Sequence, residues 1–288
     1  MKDILVFFCL ILFYNIDCQV IEMYFPKFSN KKYDFIIFQG NEQIIITQGT
    51  IPLDGKFYLE IPKKNSPYIG MARWLITGTK EGGGIDIFIP GKNFSISCLE
   101  LFPNKNNIIF SNNNENQLLN SLYEDQMFIY NRYAIMRGVL KIYGKNDENY
   151  DIYNKEYLYQ KKKFENFHMI LMQRNDYLGH LIQFINLVNG IGIKLDEDDI
   201  EKAKIMEKYI SEDLDWKDLF TSGYWYRILN NWIYIHTRIL KDMDFFVVSF
   251  KKIRSRLDST KYYKYFEESV RKQLEQQEKY DYFEKIHK

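Results

Sequence analysis

Residues Ile108-Ile109-Phe110-Ser111-Asn112-Asn113-Asn114-Glu115-Asn116-Gln117 divide the chain into two parts with different periods. Upstream of Ser111, apolar residues recur at alternate positions in short runs broken by turn residues, the spacing of half-buried strands. Downstream, Ser111-Asn112-Asn113-Asn114 reads as a polar capping cluster, and Glu115 to Tyr130 has helical spacing. The fold class that follows is α+β, with an N-terminal antiparallel β-sandwich over residues 19–111 and an all-α helical region over residues 112–288.

In the first part, Tyr33 to Phe38 and Gln43 to Thr47 flank Gln39-Gly40-Asn41, a tight hairpin turn. Phe57, Leu59 and Ile61 alternate with Lys56, Tyr58 and Glu60, so one strand face is apolar. Tyr68 to Thr77 leads through Glu81-Gly82-Gly83-Gly84 into Ile85 to Ile89. The glycine run reads as a hairpin loop, because a phosphate loop needs Lys-Ser or Lys-Thr and a helix opening after it. Phe94, Ile96 and Cys98 share one strand face, which makes Cys98 buried and inert. A reactive thiol needs exposure and a nearby positive charge.

In the second part, Leu158, Phe164, Phe167, Leu171, Leu178, Leu181, Ile182 and Ile185 fit one long helix or a broken pair, closed by Asn189-Gly190. Asp196 to Asp199 place carboxylates at the start of the next helix, where they complement its dipole, and Ile200, Ala203, Met206 and Ile210 form its apolar stripe. Tyr224, Ile228, Trp232, Ile235 and Ile239 lie on one helical face and Trp225, Leu229 and Ile233 on another, which predicts a central helix. Phe246, Phe250, Ile253 and Leu257, then Tyr263, Phe266, Val270 and Leu274, give two narrower stripes.

The N-terminus carries Lys2, the apolar run Ile4 to Tyr14 and the polar break Asn15-Ile16-Asp17-Cys18-Gln19. A spanning helix needs roughly 20 apolar residues and a secretory core only about 7 to 15. Residues 1–18 therefore read as a signal peptide, placing the mature chain in the periplasm or outer cell envelope. Cys18 is the candidate lipidation residue and would tether the chain to a membrane. Asn15 and Asp17 stand where a lipidation box has an apolar and a small residue, which favours simple cleavage near Gln19. Processing leaves Cys98 without a redox partner.

With 46% hydrophobic and 27% charged residues among 288, the chain can bury an ordinary core. Lys plus Arg (39) nearly balance Asp plus Glu (38), a formal net charge of +1, so no global field gathers nucleic acid. The aromatic share is 17%, with 23 Tyr and 22 Phe, and these rings fall mainly at structural periods. Trp74, Trp225 and Trp232 are the candidate binding aromatics: in solvent they would line a ligand groove, and buried they would belong to a scaffold.

The chemistry-bearing residues are few. The four histidines are His168, His180, His236 and His287, and no serine occupies a Gly-x-Ser-x-Gly elbow. Glu165-x-x-His168 has the spacing of a carboxylate-bridged di-iron bundle but lacks a second copy. Asp176 and His180 offer two ligands where zinc needs three or four. No catalytic, cofactor-binding or metal-binding residue is assigned, and no cofactor is expected. Lys161-Lys162-Lys163 and the group Lys251, Lys252, Arg254 and Arg256 read as solvated helix faces.

Asp54-Gly55-Lys56-Phe57, Pro67-Tyr68, Ile85-Asp86-Ile87-Phe88-Ile89-Pro90-Gly91-Lys92-Asn93, Ile108-Ile109-Phe110-Ser111 and Glu115-Asn116-Gln117 occur in an order that resembles the N-terminal region of exported thioredoxin-like thiol-disulfide oxidoreductases of the TlpA and ResA type from Bacteroidetes. The resemblance implies a β-sandwich and a helical segment ahead of a thioredoxin domain with Cys-x-x-Cys. That motif does not occur in this sequence, so no catalytic residue carries over. The expected function is a non-catalytic accessory or partner-binding module of an envelope thiol-disulfide system, working through a protein partner or self-association. The alternative is an envelope glycan- or peptide-binding protein without a redox link.

Overall fold

The computed structural model describes residues 18–80, 82–195, 198–257 and 260–287. The signal-peptide reading of residues 1–18 therefore falls outside the described residues except for Cys18.

Among the described residues, eight strands form two four-stranded sheets. One has the order β4-β1-β7-β8, from β1 (Gln19–Tyr24), β4 (Lys56–Ile61), β7 (Phe94–Ser97) and β8 (Ile109–Ser111). The other has the order β3-β2-β5-β6, from β2 (Lys32–Gln39), β3 (Glu42–Thr50), β5 (Ile69–Thr77) and β6 (Gly84–Pro90). The sheets are antiparallel, as expected, except that β1 and β7 run parallel. The chain leaves the first sheet after β4, builds β5 and β6 in the second, and returns alongside β1 in the same direction. Alternation places Phe35, Ile37, Trp74, Ile87 and Ile89 of one sheet against Ile21, Met23, Leu59, Phe94 and Ile96 of the other, all nearly inaccessible.

The helical layer consists of α1 (Glu115–Ile142), α2 (Tyr150–Arg174), α3 (Tyr177–Val188), α4 (Asp199–Glu212), α5 (Trp216–Phe220), α6 (Trp225–Tyr234), α7 (Met243–Arg256), α8 (Thr260–Gln276) and α9 (Tyr280–Ile286). The run through Val188 is the broken pair. Asn175 takes a left-handed conformation (φ 43°), and Asp176 then caps α3 by accepting from Gly179 N–H at 2.9 Å. The helix predicted to be central is α6, continued by a π-helical turn at Ile235–Leu240. Trp225, Ile228, Leu229, Trp232 and Ile233 are all fully buried there.

Two details of the sequence reading change. Ile200, expected in the buried stripe of α4, is 53% exposed, and Leu158 on α2 is also 53% exposed. Both belong to helices packed on one side only, where the apolar stripe is narrower than the sequence pattern. The asparagine cluster does other work than capping. Asn114 occupies the N-cap of α1 without a side-chain bond. Asn116 Oδ1 instead accepts from Phe88 N–H (2.8 Å), while the amides of Asn113 and Asn116 donate to Phe88 C=O (2.9 and 2.8 Å). The exposed edge of β6 is thereby closed by side chains from the start of α1.

The helical layer is fastened to the sandwich by backbone as well as side chains. Beyond the Ile37–Ala72 pair, β2 and β5 splay apart and stop bonding to each other. The loop after α5 enters the gap: Gly40 N–H donates to Phe220 C=O at 2.7 Å and Met71 N–H to Thr221 C=O at 2.9 Å. Tyr68 bridges the same opening, its hydroxyl donating to Met71 C=O (2.7 Å) and accepting from Phe38 N–H (3.2 Å). Burial raises the Tyr68 hydroxyl well above its ordinary pKa, which keeps it a donor. Gly70 is required at this point, since a Cβ there would lie 2.5 Å from Thr221 Cβ and 2.8 Å from Thr221 O.

Gly70→Ala should therefore cost about 2 kcal/mol or more in urea unfolding, because backbone rather than a flexible side-chain end must move. Gly138, near the C-terminal end of α1, has open space around its Cβ position. Gly138→Ala should leave stability unchanged or raise it by about 0.5–1 kcal/mol. Equal effects of the two substitutions would refute the close packing at Thr221.

Candidate functional site

Side chains on the outer face of the second sheet point toward the helices, and Arg73 of β5 stands in register with Asp86 of β6. The guanidinium grips the carboxylate twice, Nε to Oδ1 at 2.6 Å and Nη2 to Oδ2 at 3.0 Å. Beside them Met71 and Phe38 form an apolar floor, and the Arg73 guanidinium lies 5.8 Å from the Phe38 ring centre. Leu119, Asn120 and Tyr123 of α1, Leu181 and Ile185 of α3, and the turn Ser222-Gly223-Tyr224 leading into α6 supply the other walls. Gly223 (φ 78°) allows that turn to approach the sheet, its Cβ position being 3.2 Å from the Phe38 ring.

The half-open cleft measures about 480 Å³, within the range of small-molecule sites. Its charges converge on Tyr224. Burial raises the Tyr224 hydroxyl pKa and the Asp86 carboxylate adds to it, while Arg227 and Arg73 oppose. The hydrogen bonds it donates to Asp86 hold Arg73 firmly protonated. Arg227, with its guanidinium 5.9 Å from the Tyr224 ring, has no carboxylate within ion-pair distance among the described residues. Two guanidinium groups and one carboxylate leave the cleft with one surplus positive charge. Gln43, Asn120 and Asn189 add amide donors and acceptors at its wall.

None of the candidate site residues named from the sequence lines this cleft. Trp74, Trp225 and Trp232 are 1%, 0% and 0% exposed and present no ring face to solvent. Trp225 and Trp232 donate through Nε1 to Ser269 and Ser249, each at 3.0 Å. Trp74 is packed among Phe25, Phe28, Tyr33 and Phe57, with ring centres 4.8 to 6.4 Å away. Cys98 is buried, with Sγ 3.4 Å from Asn107 Oδ1 and 3.7 Å from Glu100 C=O. Cys18 is partly exposed and unpaired. The basic group on α7 is occupied within the chain: Lys252 pairs with Glu212 (2.6 Å), Arg256 donates to Ser211 and Leu214 carbonyls, and Arg254 stacks on Tyr263.

The histidines serve structural roles. His180 Nδ1 bonds Asp218 Oδ2 at 2.7 Å, rather than pairing with Asp176, which caps α3. With Asp215 these residues bring ligand atoms within 4.8 Å of one another, but Asp215 is the N-cap of α5, accepting from Asp218 N–H at 2.8 Å. The set is an ion pair joined to a helix cap. His168 is buried on α2 with both ring nitrogens lacking hydrogen-bond partners among the described residues. His236 Nε2 lies 3.7 Å from Glu207 Oε1, and Ser249 donates to the same carboxylate at 2.5 Å. Burial pushes the Glu207 carboxyl upward, but the nearby His236 imidazole and the hydrogen bond from Ser249 outweigh it and leave it below the ordinary carboxylate range. In this Ser/His/Glu group the serine bonds the carboxylate instead of the imidazole, and all three residues are inaccessible. It is therefore a core network without access for a substrate.

No family model, curated protein or solved structure matches the chain, and none links it to TlpA- or ResA-type proteins. No helix among the described residues is long and apolar enough to cross a membrane.

Two histidines with opposite shifts give a testable stability profile. Burial lowers the His168 pKa from 6.5 to about 4, so its stabilising contribution is present above the unfolded value and is lost as pH falls from 6.5 toward 4. The loss should be on the order of 3 to 3.5 kcal/mol at full effect. The hydrogen bond to Asp218 raises His180, so its contribution is present below its unfolded pKa and is lost as pH rises through the folded value. Urea unfolding from pH 4 to 8 should show His168→Leu flattening the acid limb and His180→Asn flattening the opposite limb. If both variants leave the profile parallel to wild type, the assignment fails.

Proposed function

We propose that the chain is a non-catalytic binding protein whose junction cleft takes a peptide segment ending in a free carboxylate. The observation that carries this reading is the surplus guanidinium of Arg227 in a cleft walled by Phe38, Tyr123 and Tyr224. A guanidinium recognises a carboxylate in a planar fork, the rings accept an apolar or aromatic side chain, and Gln43, Asn120 and Asn189 can pair with peptide groups. A cell-envelope setting rests on the N-terminal sequence. An accessory role in a thiol-disulfide system rests on the motif resemblance and uses none of the cleft residues.

Self-association is the second part of the proposal, carried by α1. Its inner seam, Leu119, Leu122, Gln126, Ile129, Tyr133, Met136 and Leu140, alternates spacings of three and four and packs inward. One residue earlier runs a second seam, Leu118, Ser121, Asp125, Phe128, Arg132, Ile135, Val139 and Ile142, with the same spacing. On it Phe128, Ile135 and Ile142 are 56%, 60% and 82% exposed. The first half of α1 carries Glu115, Glu124 and Asp125, and the second half Arg132, Arg137 and Lys141. An antiparallel pair of α1 helices from two copies covers this seam, sets Leu118 opposite Ile142, and brings Asp125 of each copy near Arg132 of the other.

Two measurements test these statements. In calorimetric titration, acetyl-Ala-Ala-Phe with a free carboxylate should bind and its C-terminal amide should bind about tenfold more weakly. Arg227→Ala should remove that difference; equal binding of acid and amide, or no binding of either, would count against the cleft. In light scattering after size exclusion, the wild type should be dimeric, Asp125→Arg monomeric and Asp125→Arg with Arg132→Asp dimeric again. A monomeric wild type would rule out the pairing.

A further inference from the structure

On the outer face of the first sheet, the residues that alternate with buried Ile21, Met23, Phe57, Leu59, Phe94 and Ile96 reach solvent. Cross-strand register sets four of them in one row: Tyr58 of β4 opposite Glu22 of β1, Glu22 opposite Ser95 of β7, and Ser95 opposite Ser111 of β8. Neighbouring strands stand about 4.8 Å apart, so the row is about 14 Å long. Tyr58 is 61% exposed, and Tyr24, diagonal to it on the same face, is 36% exposed.

Two hollows adjoin the row. A shallow one of about 150 Å³ lies among Glu22, Ser95, Asn93 and Asn112. A wider one of about 560 Å³ shares Asn93 and Asn112 with it and continues to Asn114, Lys92 and Glu115. The fold leaves most of their polar groups unused. Asn93 Oδ1 accepts from Val20 N–H at 2.8 Å, which frees its Nδ2 to donate outward. Asn114 makes no capping bond, and the side chains of Glu22, Ser95 and Asn112 have no partner among the described residues. Ser95 is half-buried and the others are exposed.

The charges select the ligand. Lys92 pairs with Glu115 at 3.2 Å and the Lys56 ammonium lies 5.7 Å from the Tyr24 ring centre, so both lysines beside the row are engaged. Glu22 and Glu60 stand on the same face with no cation within ion-pair distance among the described residues. An anion is repelled here, and a polyamine would satisfy the carboxylates while leaving the asparagine amides unpaired. An uncharged polyhydroxyl ligand uses every group. A pyranose ring packs its apolar C–H face on an aromatic ring, and one carboxylate can accept from two neighbouring hydroxyls at its rim.

We infer that the row from Tyr58 to Ser111 and the adjoining asparagine hollow bind an uncharged oligosaccharide of the flat, β-1,4-linked kind. One sugar ring packs on Tyr58, Glu22 accepts from its hydroxyls, and Asn93 and Asn112 pair with the units that follow. The extended ribbon of a β-1,4-linked chain follows a straight row, whereas an α-1,4-linked chain coils away from it. No residue of this site lines the junction cleft.

The probe is cellotriose, with maltotriose as the coiled control, and the readout is the Asn93 side-chain amide pair in a nitrogen–proton correlation spectrum of the full chain. Asn93→Asp identifies those signals and keeps an acceptor for Val20 N–H. Cellotriose should move them in a saturable manner. Tyr58→Ala should weaken binding about tenfold and Tyr58→Phe should retain it, both with the circular dichroism of the wild type, since the ring is exposed. Arg227→Ala should bind cellotriose as the wild type does, which separates this site from the junction cleft. Asn93 signals unmoved by cellotriose, moved equally by maltotriose, or moved as strongly in Tyr58→Ala would overturn the assignment.

Discussion

The insertion of Phe220 and Thr221 between the separated ends of β2 and β5 is the constraint on which the rest of the molecule depends. Strands that splay within a sheet expose N–H and C=O groups on both sides of the opening, and buried groups of this kind must find partners. Here Gly40 and Met71 find them in carbonyls about 150 to 180 residues away in the chain, and Tyr68 spans what remains. The wedge positions the turn Ser222-Gly223-Tyr224 over Phe38, and that turn leads into α6 and Arg227. The cleft lies where that turn, α1 and α3 meet the outer face of the opened sheet.

Strand and helix content was legible because burial imposes a period on each. Phe57-Leu59-Ile61 and Phe94-Ile96-Cys98 alternate because one face meets the opposite sheet, and the Trp225–Ile233 pattern is helical because α6 is buried around much of its circumference. The parallel pairing of β1 with β7 was not legible, since it depends on which sheet receives the intervening strands. The asparagines at 113 and 116 carried a polar signal that fits a helix cap and an edge clamp equally well; only the position of Phe88 decides between them. The cleft was the least legible feature. Arg73 and Asp86 are ordinary surface-type residues in sequence and Tyr224 reads as one position of a helix stripe, and what unites them is a cross-strand register together with the approach of a loop. The Arg73–Asp86 offset, one on each side of a glycine hairpin, was the signal available for part of it.

The aromatic wealth of the chain is explained by its cores. Trp74 is held among four rings in the sandwich, while Trp216, Phe220, Trp225 and Phe266 meet edge-to-face in the helical layer with centres 5.4 to 5.7 Å apart. Such contacts add to area burial by fixing ring orientation. Large rings also suit a sheet and a helical layer joined over an uneven surface: Phe88 leaves the sheet to meet Tyr177 at 4.9 Å and becomes part of the helical core. The sandwich and the helices are thus distinct in sequence period and continuous in packing.

The wedge also bears on the order in which the chain acquires its structure. Contacts distant along the chain are paid for in loop-closure entropy before they return any stabilisation. The hairpins β2–β3 and β5–β6 and the α1–α2 arm are local and can form early, but the mouth between β2 and β5 stays unsatisfied until Phe220 and Thr221 arrive. During synthesis the sandwich must wait, with two backbone donors exposed, for more than a hundred further residues to leave the ribosome. Its final closure is a late event, and the last part of the sheet to become native is the part that shapes the cleft.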